Sequence, residues 1–188
     1  CLTAYLTMRS TFLYGPGLSP DSTGYVALAR EISANGFAFM AENKAVEQPP
    51  MYSIVLTAMS SLTGATIIHA ARWINILSSA ALVALILLIV SKITLSISIL
   101  IVTGVLSCFS IPLTNVWSMA WTEPLFILMI TLTLFVISKP KHPFIFALLA
   151  GLLTAAAILT RYAGIVLLPV VITFIFISQP GCVRKRCK

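Results

Sequence analysis

Five stretches of the chain, 76–90, 93–111, 125–138, 144–160 and 164–178, contain no Asp, Glu, Lys, Arg or His. Uncharged runs of this length suit helices crossing ~30 Å of hydrocarbon, where each backbone N–H and C=O must be paired within its own segment. A membrane barrel strand would show apolar and polar residues in turn over roughly ten positions, and none of the five does. Composition agrees with helices: 59% of the residues are hydrophobic and 9% charged, with a mean hydropathy of +1.03. The expected fold class is all-α, a multi-pass transmembrane helical bundle with two interfacial helices in the first extracytoplasmic loop.

As one transmembrane domain, the chain divides readily. Residues 1–14 carry Arg9 and are too short to cross, so they read as the end of a truncated first span. Residues 15–66 form an extracytoplasmic loop, 67–178 hold five spans (about 67–91, 93–111, 124–138, 144–160 and 164–178), and 179–188 make a basic cytoplasmic tail. An unbroken helix through the last two spans would be a rod of ~52 Å, so Arg161 to Gly164 must turn.

Within the loop, Gly15, Pro16 and Gly17 stop any incoming helix, and Ser19 followed by Pro20 reads as an N-cap with proline in the first turn. Tyr25, Leu28, Ala29 and Ile32 then recur at helical spacing, with Arg30 and Glu31 opposite, until Asn35 and Gly36 end the helix. Residues 37–48, with Glu42, Lys44 and Glu47, read as an exposed loop. Pro49 and Pro50 open a second helix, Met51 to Thr63, closed by Gly64; at ~20 Å it is too short to span and is expected along the interface.

The net charge of +7 is not a nucleic-acid signature, because the cations form no patch interleaved with aromatics. Seven of the twelve (Lys92, Lys139, Lys141, Arg184, Lys185, Arg186 and Lys188) fall in short connections or the tail, while Arg9, Arg30, Lys44, Arg72 and Arg161 share the other segments with all five acids. The alternation of five spans puts the first group on one face and the second on the other, which the positive-inside rule assigns to cytoplasm and exterior. Cys1, Cys108, Cys182 and Cys187 show neither metal-ligand spacing nor a disulfide framework.

Every ionisable group able to act therefore lies at the outer ends of the spans. Asp21 stands in the first turn of the loop helix, and Glu123, in Trp121-Thr122-Glu123-Pro124, at the mouth of a span. Arg161 occupies the tight turn, and His69 and Arg72 share a helix face with Asn75 one turn on. Each has a plainer reading as a helix-start acid, a snorkelling arginine or a structural histidine. Together, two carboxylates and two arginines suit group transfer from a phosphate: a carboxylate takes a proton from a hydroxyl, and guanidinium groups clamp the leaving phosphate. No phosphate-cradling glycine loop, H-E-x-x-H, G-x-S-x-G or dinucleotide fingerprint is present.

Five segments in order, SPDSTGYVALAREISANG, QPPMYSIVLTAMSSLTG, AARWINIL, WTEPLFILMITL and LLAGLLTAAAILTRYAGIVLLP, resemble the GT-C glycosyltransferases. The likeness is to the branch of protein O-mannosyltransferases and lipid A aminoarabinose transferases, and it covers about residues 10–178. It implies an enzyme that moves a sugar, with inversion, from a polyprenyl-phosphate carrier to a lipid, glycan or protein acceptor. Asp21 matches the family's catalytic acid, Glu123 an acid lining the same cavity, and Arg161 a basic residue facing the lipid phosphate. Tyr25, Arg72 and His69 are further expected substrate contacts. Such enzymes commonly carry a second acid after the first; here Ser22 follows Asp21, which weakens a divalent-metal role, and Gln48 replaces a frequent basic residue before the proline pair.

The expectation is a glycosyltransferase of a cell envelope's inner or plasma membrane, or the N-terminal part of one, with its active site on the extracytoplasmic face. Its partners would be the polyprenyl-phosphate-linked sugar, the acceptor and membrane lipid, with no nucleic acid. No metal ligand is assigned, although the family leaves room for a divalent metal as cofactor. Alternatives are a lipid or solute transporter and a noncatalytic membrane assembly subunit.

Overall fold

One helix carries most of the others. In the computed structural model, which describes residues 2–36, 48–138 and 143–178, this is α4, Ile67–Ile93, 27 residues or about 40 Å long. Before it come α1 (Leu2–Ser10), α2 (Pro20–Asn35) and α3 (Met51–Thr63). After it come α5 (Ile97–Phe109), α6 (Ile111–Ser118), α7 (Glu123–Ile137), α8 (Pro143–Thr160), a 3-10 turn (Tyr162–Val166) and α9 (Leu167–Ser178). The described residues are thus all-α. The positions 37–47, Lys139 to His142, the tail 179–188 and Cys1, for which the sequence carries expectations, lie outside them.

Helix α4 is long and apolar enough to cross a membrane. Helices α5 and α6 together reach that length but are bent by 48° where they meet, and α3, α7, α8 and the run from Tyr162 are shorter apolar helices. The sequence suggests one span over 93–111; instead α5 is shorter and α6 follows where a loop was expected. Pro112 explains the break. It sits in the first turn of α6, where a missing N–H costs nothing, whereas a helix continuing from α5 would lose a hydrogen bond and meet the ring.

Against α4 pack α1, α2, α3, α5, α6 and α7. Small hydroxyls tie α1 in: Thr7 Oγ1 donates to Ser79 Oγ at 3.3 Å, and Thr3 Oγ1 lies 3.2 Å from Cys108 Sγ on α5. Such bonds hold helices together where apolar contact alone gives little preference for one neighbour over another. A main core forms from Val26 and Ala29 of α2, Tyr52 and Leu56 of α3, Ile67, Ala70, Ala71 and Ile74 of α4, and Leu125 of α7. Helices α8 and α9 add to α7 through Ile137, Ala150 and Val171. Elsewhere α5, α8 and α9 expose large apolar side chains, among them Ile97, Leu106, Phe144, Leu152 and Phe176.

Helix α2 begins and ends where its sequence says. Ser19 is the N-cap, Pro20 is in the first turn, and Gly36 closes the helix at φ 73° with its N–H on the Ile32 carbonyl. Its buried stripe is Ser22, Val26, Ala29 and Ile32, one step round from the apolar face expected, which had Tyr25 and Leu28 in place of Ser22 and Val26. The shift follows from α3. Ser53 Oγ donates to the Tyr25 carbonyl and Thr57 Oγ1 to that of Ala29, both at 3.0 Å, so α2 packs on helices and Tyr25 is left only partly buried.

Candidate functional site

Two loops far apart in sequence are joined here. Gly17 donates its N–H to the Ser118 carbonyl and accepts from the Ala120 N–H, each at 2.8 Å, a short parallel bridge with Met119. Two residues on, the Trp121 indole Nε1–H donates to Ser19 Oγ at 2.9 Å. That hydroxyl also accepts from the Ser22 N–H at 3.3 Å and lies 3.0 Å from Ser22 Oγ, which itself accepts from the Ser19 N–H at 3.1 Å. With both lone pairs of Ser19 Oγ engaged, its own proton goes to Ser22. The helix cap and the loop contact are one network, and it fixes Asp21 and Glu123, each two residues beyond a partner in the Ser19–Trp121 bond.

From below, Asn75 holds the second loop. Fully buried on α4, it donates from Nδ2 to the carbonyls of Trp117 and Met119 at 2.9 and 2.7 Å. It thereby satisfies acceptors at the end of α6 that no helical turn can reach.

Arg161 arrives from the other side. Its extended backbone separates α8 from the 3-10 turn, its N–H donates to the Ala157 carbonyl at 2.9 Å and its carbonyl accepts from Gly164 at 2.8 Å. The turn folds so tightly onto α8 that a Cβ on Gly164 would stand 2.7 Å from the Ala157 carbonyl carbon and the Ile158 nitrogen. Arg161 Nη1 then donates to Glu123 Oε1 in an ion pair, the two side chains 41% and 30% exposed. Thr122 Oγ1 donates to the other carboxylate oxygen at 3.4 Å.

Asp21, Tyr25, Trp121, Glu123, Arg161 and Tyr162 line one cavity of about 600 Å³. Tyr25 sits edge-on to Tyr52 with ring centroids 5.6 Å apart. Burial pushes its phenol above the ordinary value of 10.0, the Arg161 charge pulling it down and the Asp21 and Glu123 carboxylates adding to the rise, while Thr122 lowers it. A neutral hydroxyl donor thus stands beside two carboxylates and one guanidinium.

Four of the six candidate residues, Asp21, Tyr25, Glu123 and Arg161, meet in this cavity, and two do not. Arg72 lies against α1, its Nη2 donating to the Met8 carbonyl at 3.4 Å and its guanidinium 5.5 Å from the Phe12 ring centre. His69 is exposed in the first turn of α4, its N–H bonded to Thr66 Oγ1 at 3.4 Å. Both share a helix with Asn75, but only Asn75 points toward the second loop. Gln48 lies over Gly24, where a Cβ would come within 2.6 Å of its amide. The linkage of Trp121 to Ser19 was missed; the only cue was an indole donor in an otherwise apolar mouth needing an acceptor when part-buried.

For a divalent metal, the described lining residues supply two carboxylates, one already paired with Arg161, and no cluster of three or more His, Cys, Asp or Glu occurs among the described residues. That donor set fits a metal poorly. A second hollow of about 750 Å³, between α1, α4 and α5, is lined by Leu87, Leu88, Ile97, Leu100 and other residues without acid or base. No family model, curated protein or solved structure matches the chain.

Proposed function

We propose that the chain is a multi-pass membrane glycosyltransferase, or the N-terminal part of one, that moves a sugar from a polyprenyl-phosphate carrier to an acceptor hydroxyl on the extracytoplasmic face. The observation that carries this reading is the gathering of Asp21, Tyr25, Glu123 and Arg161 round one cavity in a chain whose long apolar stretches are otherwise uncharged. Apolar side chains exposed on α5, α8 and α9 favour lipid contact beyond the single long helix, since patches of that extent are unusual on soluble monomers.

In this reading Asp21 is the general base. It takes the proton of the acceptor hydroxyl as that oxygen bonds to the anomeric carbon, and the bond from that carbon to the phosphate oxygen breaks with inversion. The electron pair leaves on the phosphate, where Arg161 stabilises the growing charge. The protonated Tyr25 phenol can donate to the same oxygens, and the fixed Ser19–Trp121 network keeps base and cation in place without reorganisation. Helices α2 and α3 would lie along the outer interface.

Sugar transfer by the full-length protein tests this. Asp21→Asn preserves shape and removes the base, so kcat should fall by about 10²- to 10⁴-fold with carrier binding retained. Activity near wild type would remove Asp21 from the role.

A further inference from the structure

The Glu123–Arg161 pair places a like charge beside the position a phosphate must take. Of the charged residues described round the cavity, two are carboxylates, Asp21 and Glu123, and one is a guanidinium, Arg161. Glu123 cannot retreat far. It opens α7, is followed by the fully buried Pro124, and is preceded by Trp121, which is bonded to Ser19. Any phosphate oxygen accepting from Arg161 therefore replaces or joins the Glu123 carboxylate within a few ångströms, and its repulsion scales with the charge brought in.

That scaling separates the two phosphates such a reaction handles. A sugar-loaded polyprenyl phosphate is a diester with one negative charge, whereas the spent carrier is a monoester whose second proton leaves near pH 6. We infer that Glu123 makes the site prefer a monoanionic phosphodiester over a dianionic phosphomonoester, so that it accepts the loaded carrier and releases the spent one. The inference rests on the reading of Arg161 as the phosphate's cation. Glu123 is then specificity-determining, and it re-forms its pair with Arg161 as the product departs.

A partly exposed carboxylate a few ångströms away repels each unit of charge by an amount equivalent to roughly three- to tenfold in affinity. Binding of undecaprenyl phosphate and of its monomethyl ester is measured at pH 8 with the chain in lipid nanodiscs. In the wild type the methyl ester should bind more tightly. Glu123→Gln, or Glu123→Ala should that variant fail to fold, should tighten the monoester roughly three- to tenfold more than the diester; Glu123→Asp, which keeps the charge, should preserve the wild-type preference. Equal tightening of both ligands, or none, overturns the inference while leaving the phosphate reading intact. Arg161→Gln should lose both ligands; undiminished binding there overturns the phosphate reading and this inference with it. Inorganic phosphate should not displace the lipid at equal concentration, and displacement would make this a site for free phosphate instead.

Discussion

Tyr52 shows how closely the candidate site is bound to the core beneath it. Its ring is fully buried, and its hydroxyl has no hydrogen-bond partner among the described residues. Burial, with the Glu123 and Tyr25 charges adding to it, pushes the phenol well above the ordinary 10.0. An acid whose folded pKa lies above its unfolded value contributes stability that is intact below pH 10 and is lost as pH rises beyond it. The melting temperature should therefore fall steeply above about pH 10, and Tyr52→Phe should flatten that fall. At neutral pH the same substitution removes a buried unpaired hydroxyl and should raise stability by about 1 kcal/mol. Asp21, Glu123 and Arg161 could be singled out in the sequence because charge is so scarce there. The distinction between Arg72 and Asn75 could not, since one helix face spans both and only the path of the second loop decides which of them it meets.

Among the elements, the turn after α8 most directly controls the site. It aims Arg161 at Glu123 only because Gly164 lets the 3-10 turn lie on the α8 backbone. Gly164→Ala brings a methyl group to 2.7 Å from that backbone, where no flexible side chain can move aside. The variant should melt several degrees lower and lose binding of undecaprenyl phosphate even though Arg161 itself is unchanged. Most element boundaries were readable: Ser19 and Pro20 start α2, Gly36 and Gly64 end α2 and α3, and the Arg161 turn interrupts the final apolar run. The sequence ended its span at 111, beside the break after Phe109, but α6 beyond it went unread, because a proline there marks a helix start as readily as a stop and periodicity alone does not show a bend. The buried face of α2 was off by one step because its rotation is set by α3, bonded to the Tyr25 and Ala29 carbonyls, and no pattern within α2 shows that a polar residue, Ser22, joins the buried stripe.

For the molecule as a whole, sidedness is the decisive measurement. With the native cysteines replaced by serine, single cysteines at Leu18, Tyr162 and Leu95, exposed to 47%, 56% and 94%, are treated with a membrane-impermeant maleimide. Leu18→Cys and Tyr162→Cys should react from the outer phase, and Leu95→Cys, between α4 and α5, from the inner one. Reaction of Leu18→Cys and Tyr162→Cys from opposite phases would refute a shared site. Charge bias could be read from the sequence and sets this expectation. The meeting of two loops depended on hydrogen bonds between residues that no local pattern relates.

The Ser19–Trp121 bond joins positions 102 apart in the chain, and the Glu123–Arg161 pair adds a further 38. A ribosome delivers Asp21 long before the groups that frame it, and the entropy of closing so long a loop opposes any early docking. Asp21 is thus made well ahead of Trp121 and Arg161, and its surroundings are set only when they arrive. A nascent chain still short of residue 161 carries both described carboxylates of the cavity without the guanidinium that pairs with Glu123, so that ion pair can close only after Arg161 has been made.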